Sequence, residues 1–339
     1  MNKNFEVIPN SNCGGVRTFL ATIAVGLVAV VFASGPALAQ ASDQPLHMIV
    51  PYPAGGSSDY ATRLAAKYLT GPLGSTVIVE NKPGANSIIG AQYVAQARAD
   101  GTVALVAGTA ATTANPFLYK KLPYDAEKAF TPIGMISRMP FVVIVNSNFP
   151  ANSIAEFLKA AKTAKAPLSY GSAGNGNPTH LAGALFAQTT GIKLQQIPYQ
   201  GSSQSITALL AGQTDASFEV LQTALPFLKA GKVKALAVMS LERHPRIPDV
   251  PTLAELGWQG LDVSTSFAML VPAATPAATQ HRLHEALMTA TTNPAFIKAL
   301  DDQALQSYPA MSQADTAAVF AKERVRWKSV IERNAIALD

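Results

Sequence analysis

The chain has 339 residues, of which 48% are hydrophobic and 14% charged, and it carries a net charge of +5 at neutral pH. So mild a balance, with no basic run and no stripe of alternating aromatic and basic residues, argues against nucleic acid as a partner. The length exceeds what one hydrophobic core usually supports, so two domains are expected.

The N-terminal segment reads as a secretory signal peptide. Lys3 and Arg17 give a basic region, residues 19–33 are almost wholly apolar, and Ala37-Leu38-Ala39 follows Gly35-Pro36 as a cleavage site of the A-x-A kind. Removal of residues 1–39 and a periplasmic mature chain are therefore expected. For a retained anchor the apolar run is too short and too closely followed by the cleavage site. The one cysteine, Cys13, leaves with this segment, which suits an oxidising compartment.

The strand-like run His47-Met48-Ile49-Val50 leads into Pro51-Tyr52-Pro53-Ala54-Gly55-Gly56-Ser57-Ser58-Asp59. Apolar residues then recur at helical spacing: Tyr60, Ala61, Leu64, Ala65, Tyr68 and Leu69. Prolines fix φ on both sides of Tyr52, and the glycine pair lets a bound group approach the backbone. Ser57, Ser58 and Asp59 are all good N-caps. The loop thus offers N–H groups at a helix N-terminus with no lysine or arginine among them, a site suited to an anion held by dipoles. Taken alone, it is equally well a plain strand-to-helix turn.

Residues 75–80 read as a second strand, 81–86 as a turn, 87–97 as a helix and 102–107 as a third strand. Such alternation predicts a parallel sheet covered by helices. Gly108-Thr109 and the hydroxyl-bearing residues after it fall at the same carboxyl edge as the first loop, where open α/β sheets place ligands. The pattern restarts with a strand over 141–145, a helix capped by Ser153 and a strand over 167–170. A second glycine-rich loop then repeats the design of the first: Gly171-Ser172-Ala173-Gly174-Asn175-Gly176-Asn177-Pro178-Thr179-His180. Strands over 196–199, 215–219 and 233–238 alternate with helices over 202–211 and 222–229, and residues 243–251 read as a charged loop. A strand over 263–271 precedes Pro272, and the remainder is predicted helical, with Phe320, Arg324, Trp327 and Ile331 as a packing stripe.

Catalytic chemistry finds little support. Gly55-Gly56-Ser57 and Gly171-Ser172 are not nucleophile elbows, Gly171, Gly174 and Gly176 do not have the dinucleotide spacing, and no P-loop lysine follows either loop. His281 and His284 stand one helical turn apart with no further ligand at zinc spacing. No enzymatic activity, metal or cofactor is expected. His180 is read as orienting its loop or bonding a ligand, Glu219 as a ligand contact or a solvated rim residue, and Tyr52 as enclosing a ligand or packing under its loop. Two αβ halves, each presenting a glycine-rich loop, would clamp an anion between them.

Several stretches point the same way: Val50 to Asp59, Glu80-Asn81-Lys82-Pro83-Gly84-Ala85, Asp100-Gly101 with Gly108-Thr109, and Asn115-Pro116 with Tyr119 to Asp125. Tyr170 to Asn175 with His180-Leu181, Pro198-Tyr199 with Gly201, Leu210 to Gln213 and Pro248 to Thr252 follow in order. On these residues the chain from Pro45 onward resembles the Bug family of periplasmic solute-binding proteins, the receptors of tripartite tricarboxylate transporters. The resemblance implies an α/β, two-domain, Venus-flytrap fold of the type II kind with a cleft between the domains. Residues 40–140 with 262–339 would form one domain and 141–261 the other. It also implies a small carboxylate ligand and a permease partner in the membrane; monomeric function is the simplest reading. The ligand would be held by Tyr52, Pro53, Ala54, Gly55, Gly56, Ser57 and Ser58 from one side and by Ser172, Asn175, Thr179 and His180 from the other, with Thr109, Phe218 and Glu219 completing the pocket.

The chain departs from the family pattern at Asn86-Ser87, where glycines are common, at Ser266-Phe267-Ala268, and at Glu219, whose length would set it against a second ligand carboxylate unless it were protonated or turned away. The expected function is an extracytoplasmic receptor for a dicarboxylate, acidic amino acid or aromatic carboxylate. Its rivals are a periplasmic hydrolase using Ser172 or Ser58 with His180, and a sensor subunit that binds the same ligand without transport.

Overall fold

A computed structural model describes residues 44–108 and 110–338. The signal-peptide segment and Thr109 lie outside the described residues. The chain opens with β1 (Leu46–Val50), α1 (Ser57–Leu73), β2 (Val77–Asn81), α2 (Ile88–Ala95) and β3 (Val103–Ala107), then a π-helical turn (Ala110–Ala114) and α3 (Asn115–Leu118). A long strand β4 (Phe130–Asn146) leads into α4 (Ile154–Thr163), β5 (Leu168–Ser172), α5 (Pro178–Thr190), β6 (Leu194–Pro198), α6 (Ser202–Leu210), β7 (Ala216–Val220), α7 (Leu221–Lys229) and β8 (Val233–Met239). The chain closes with β9 (Ser264–Pro272), α8 (Ala277–Thr291), α9 (Pro294–Asp302) and α10 (Gln313–Arg333).

Each half is a sheet with a parallel core, and β4 belongs to both. In the first, β2, β1 and β3 are parallel neighbours and β9 pairs antiparallel with β3 and with β4 from Phe130 to Pro140. From Phe141 onward β4 pairs instead with β7 and β8, and β7 continues in parallel into β5 and β6. The return crossing runs alongside: the Phe141 N–H donates to Val263 O (3.3 Å) and the Val263 N–H to Met239 O (2.9 Å).

Register fixes where the loops go. Ala107, the last residue of β3, pairs with Ala268, and Pro140 of β4 with Ser264, so β1–β3 end toward the strand junction. In the second half Val220, the last residue of β7, faces Phe141 just beyond the same junction, and the parallel strand β5 ends beside it. The carboxyl ends of both parallel sets, with the N-termini of α1, α5, α6 and α7, converge on one cleft.

Sequence patterning predicts only the second part of β4, because Pro132, Gly134 and Pro140 read as strand breakers. The register against β9 slips between Pro132 and Gly134 and again between Met135 and Ser137, and these irregularities accommodate Pro132 and Gly134, while Pro140 stands where β4 passes from β9 to β7. Gly134 also admits α8 closely: a Cβ there would lie 2.9 Å from Leu287 and 3.0 Å from Met288.

Two main cores follow. In the first half α1 buries Ala61, Ala65, Leu69 and Leu73 with Leu283, Leu287 and Ala290 of α8 over Met48 and Val106. In the second, Phe141, Val143, Phe157, Phe186 and Phe218 pack together, and Trp327, Val330 and Ile331 of α10 join them. The predicted stripe on α10 is thus split. Phe320 packs near Leu270 of the first half, while Trp327 and Ile331 enter the core of the second. Between them Arg324 pairs with Glu127 and donates to Thr112 O (3.1 Å) and Ala126 O (3.2 Å).

Because Trp327 is 1% exposed in a core whose other buried members, Val330 and Ile331 apart, come from residues 114–263, Trp327→Ala should cost about 3–5 kcal/mol. Urea unfolding followed by far-ultraviolet circular dichroism measures it; a loss below about 1 kcal/mol would show that α10 does not tie the halves together.

Candidate functional site

The first glycine-rich loop is an open edge held from behind. Gly56 is the N-cap of α1, φ −81° and ψ 175°, and having no side chain it leaves the first turn without a side-chain cap. Pro53, Ala54, Gly55 and Gly56 are exposed, Ser57 is half-buried and Ser58 buried. Gly55 adopts φ +82°, and no atom stands within 4 Å of where its Cβ would be.

Asp59 takes a different part from the capping role expected of it. It lies in the first turn, where Oδ2 accepts the Gly55 N–H (3.0 Å), both oxygens accept from Arg63 Nε (3.0 Å), and Oδ1 accepts from Asn81 Nδ2 (3.0 Å). Burial opposes its charge, but these bonds from Arg63, Gly55 and Asn81 prevail and hold its pKa below the ordinary value. Asn81 also donates to the Tyr52 carbonyl (3.1 Å), so one amide fixes both ends of the loop.

Tyr52 serves as a strut. Its ring meets that of buried Phe267 edge-on at 6.0 Å, and its hydroxyl lies against the Gly108 backbone and the Ser87 side chain, where burial raises its pKa. The neighbouring turn is strained: Ala85, Asn86 and Ser87 all have positive φ, 45°, 49° and 70°. Glycine would suit these positions; here Asn86 holds the turn by pairing with Asn115, Nδ2 to Oδ1 at 2.8 Å, and by accepting at its carbonyl from Asn115 Nδ2 at 2.9 Å.

In the second half most of the predicted residues build the loop. Ser172 is fully buried, its Oγ bonded to Gly174 (3.3 Å) and to Gln196 Nε2 (2.6 Å). Thr179 accepts the Ala173 N–H (2.8 Å) and donates to Asn177 (3.1 Å), whose side chain caps α5. Asn175 is exposed. The His180 Nδ1 accepts the Gly176 N–H (3.1 Å), so the ring carries its proton on Nε2 and can donate there; burial lowers its pKa to about 4, keeping it neutral. Ser172 and the accepting nitrogen of His180 are each engaged elsewhere, so the two do not form the hydrogen bond that a nucleophile and its base require.

Phe218, expected in the pocket, is a core residue: it is fully buried between Tyr170 (centroids 5.4 Å) and Phe186 (5.1 Å). Strand alternation puts Glu219 on the opposite face. Glu219 is also fully buried, which excludes the solvated-rim reading. Its Oε1 accepts from Ser202 Oγ at the start of α6 (3.0 Å) and from the Val220 N–H at the start of α7 (2.9 Å), whereas Oε2 has no partner among the described residues. Burial raises its pKa to about 7 against the opposing pull of the two donors. The two halves meet where Ser57 Oγ of α1 donates to Gln222 Oε1 of α7. Asn81, Ser202 and Gln222 escaped sequence reasoning; Ser202, a hydroxyl just after Gly201 at a helix start, repeats the pattern that singled out Ser57.

Two α/β halves with a shared strand, a double crossing and helix N-termini gathered at the cleft define a two-domain periplasmic-binding-protein fold. Residues 61–336 match the sequence profile of the tripartite tricarboxylate transporter family receptor, and the chain belongs to that family. A UPF0065 protein of Bordetella pertussis is 33% identical over 290 residues, covering 85% of this chain and 90% of the relative. The solved periplasmic binding protein BugD is 32% identical with a TM-score of 0.74, covering 87% of this chain and 99% of its own. Rpa4515 of R. palustris, solved with adipate, is 27% identical with a TM-score of 0.78 and the same coverage.

Glu219 gives the site a pH signature in stability. The folded chain keeps its proton up to about 7, whereas the unfolded chain releases it near 4.5, so its stabilising contribution is full below about 4.5 and lost as pH rises through about 7. Glu219→Gln should therefore gain stability relative to the parent between about pH 5 and about pH 8, by up to roughly 3 kcal/mol. Urea unfolding of both proteins at the two pH values reads the difference, and a constant offset would contradict the burial of this group.

Proposed function

We propose that the protein is a periplasmic receptor that closes on a small dicarboxylate and delivers it to a membrane permease of the tripartite tricarboxylate type. The observation that carries this reading is the open, uncapped start of α1 at Gly56, brought against the start of α7 through Ser57 and Gln222. The N–H groups at Gly56, Ser57 and Ser58 bind one carboxylate from the first domain, and Gly55, whose own N–H is held by Asp59, sets the shape of the loop. His180 Nε2 and the starts of α6 and α7 face it from the second, and Asn175 borders the opening. Tyr52, Pro53, Ala54, Ser172 and Thr179 shape these loops.

Charge-assisted hydrogen bonds are worth about 1.5–3 kcal/mol each, and micromolar affinity needs about 8 kcal/mol, so four or so donors suffice after ordering costs. The domain boundaries on this reading fall at Pro140 and near Leu261, with the end of α10 packing across them. The mature chain begins after Ala39 and acts as a monomer without catalysis. The adipate bound by Rpa4515 makes a C6 dicarboxylate the first candidate.

Calorimetric titration of the mature chain with C4 to C6 dicarboxylates, citrate, acidic amino acids and nicotinate should give one saturable ligand, recovered unchanged. Gly56→Val is the sharper variant to pair with it: φ at Gly56 is allowed to any residue, and only Pro53 O, at 3.8 Å, borders the space for its Cβ, whereas valine at Gly55 would be strained. The variant should bind at least about a hundredfold more weakly while losing no more than about 1 kcal/mol of stability. Full affinity in that variant removes the first loop from the site; consumption of the ligand replaces the receptor with an enzyme.

A further inference from the structure

The receptor reading leaves one group unexplained: a buried carboxyl in a site for carboxylates. Glu219 is the penultimate residue of β7, between the N-termini of α6 and α7, at the carboxyl end of the strand that faces the first half. One of its oxygens is satisfied by Ser202 and Val220, and the other is sealed from solvent with no partner among the described residues. A buried polar atom left this way is unfavourable unless something else completes it.

We infer that Glu219 engages the ligand as a neutral carboxylic acid, its Oε2 donating a hydrogen bond to a ligand oxygen, so that capture of a dianion takes up a proton. This inference rests on the receptor reading. The two donors to Oε1 leave Oε2 as the place for the proton, and an O–H there turns repulsion of a ligand carboxylate into a hydrogen bond. The proton stays on Glu219 throughout, and the added proton comes from the buffer.

Among the described residues, no cation is placed to keep Glu219 ionised. Val142 stands opposite it on β4, residues 141–146 of β4 and all of α6 carry no charged side chain, and Lys229 sits in the last turn of α7, away from Glu219. Tyr170 on β5 donates its hydroxyl to the His180 carbonyl, and His180 on α5 is neutral. Across the cleft Asp59 is already paired with Arg63. Burial alone holds the Glu219 pKa near 7, so protonation near neutral pH is nearly free.

Calorimetry with adipate and with malate, in buffers of differing ionisation heat from about pH 7 to about pH 9, counts protons directly while both probes remain fully ionised. Proton uptake should rise toward about one per ligand, and Kd should climb toward about tenfold per pH unit at the alkaline end. Glu219→Gln should bind with a Kd independent of pH and without uptake, because its amide carbonyl accepts from Ser202 and Val220 and its NH2 replaces the acid O–H. Proton release, uptake of none, or an unchanged pH slope in Glu219→Gln overturns the inference. If that variant fails to fold, the parent's proton count decides alone. If neither adipate nor malate binds, the ligand that saturates the chain in the panel titration takes their place as probe; absence of binding across that whole panel overturns the receptor reading and the inference with it, whereas pH-independent binding by the parent overturns the inference only.

Discussion

The cleft depends on the hydrogen-bonding of β4, one strand paired into two sheets. Up to Pro140 its ladder partner is β9; from Phe141 its partners are β7 and β8. Because the strand is continuous, the two sheets cannot choose their polarities independently. Each parallel set must end toward the junction, and each strand-to-helix connection there leaves a helix N-terminus pointing inward. The gathering of helix N-termini at the cleft is thus a property of topology before it is a property of any side chain. Arg246 works behind the junction, reaching from the loop after β8 to Asp301 and Asp302 at the end of α9, and α10 buries Trp327 in the far core.

The two faces of the cleft are built differently. On the first, the Asp59–Arg63–Asn81 network holds the Gly55 N–H and the Tyr52 carbonyl, and Tyr52 braces β9 and two loops at once through Phe267, Gly108 and Ser87. Such a surface is fixed in advance and needs little reordering on binding. On the second, the polar groups come from separate helix starts, Asn177–His180, Ser202 and Gln222, with Glu219 between two of them. On that side a change of one side chain alters charge as well as shape.

Much of this was legible in the sequence, for physical reasons. Glycine-rich loops between β-branched runs and apolar helical stripes announce strand-to-helix turns, so both loops and their shared edge could be placed. The resemblance supplied the ordering of the halves. The first part of β4 was hidden because Pro132 and Gly134 are tolerated only through register slips against β9, a long-range fact. Phe218 was misplaced although the period of two was available: adjacent strand residues cannot both face a cleft, and the large apolar one belongs to the core. Asn81 was visible as part of a turn, but its bonds to residues 22 and 29 positions away were not. Nor does any local signal connect Ser57 to Gln222, 165 residues further on.

The first turns of α1, α5, α6 and α7 contain no lysine or arginine, and this sets how the receptor responds to its surroundings. Attraction between full charges extends over the Debye length, about 10 Å at 0.1 M salt, and shrinks as salt rises. Backbone dipoles at a helix end act within the last turn and at contact distance, where mobile ions do not intervene. A periplasm exchanges small ions with the medium outside, so a scavenger in it meets dilute and saline conditions in turn. A grip made of peptide groups gives up long-range steering of its ligand and in return holds that ligand with much the same strength across such swings.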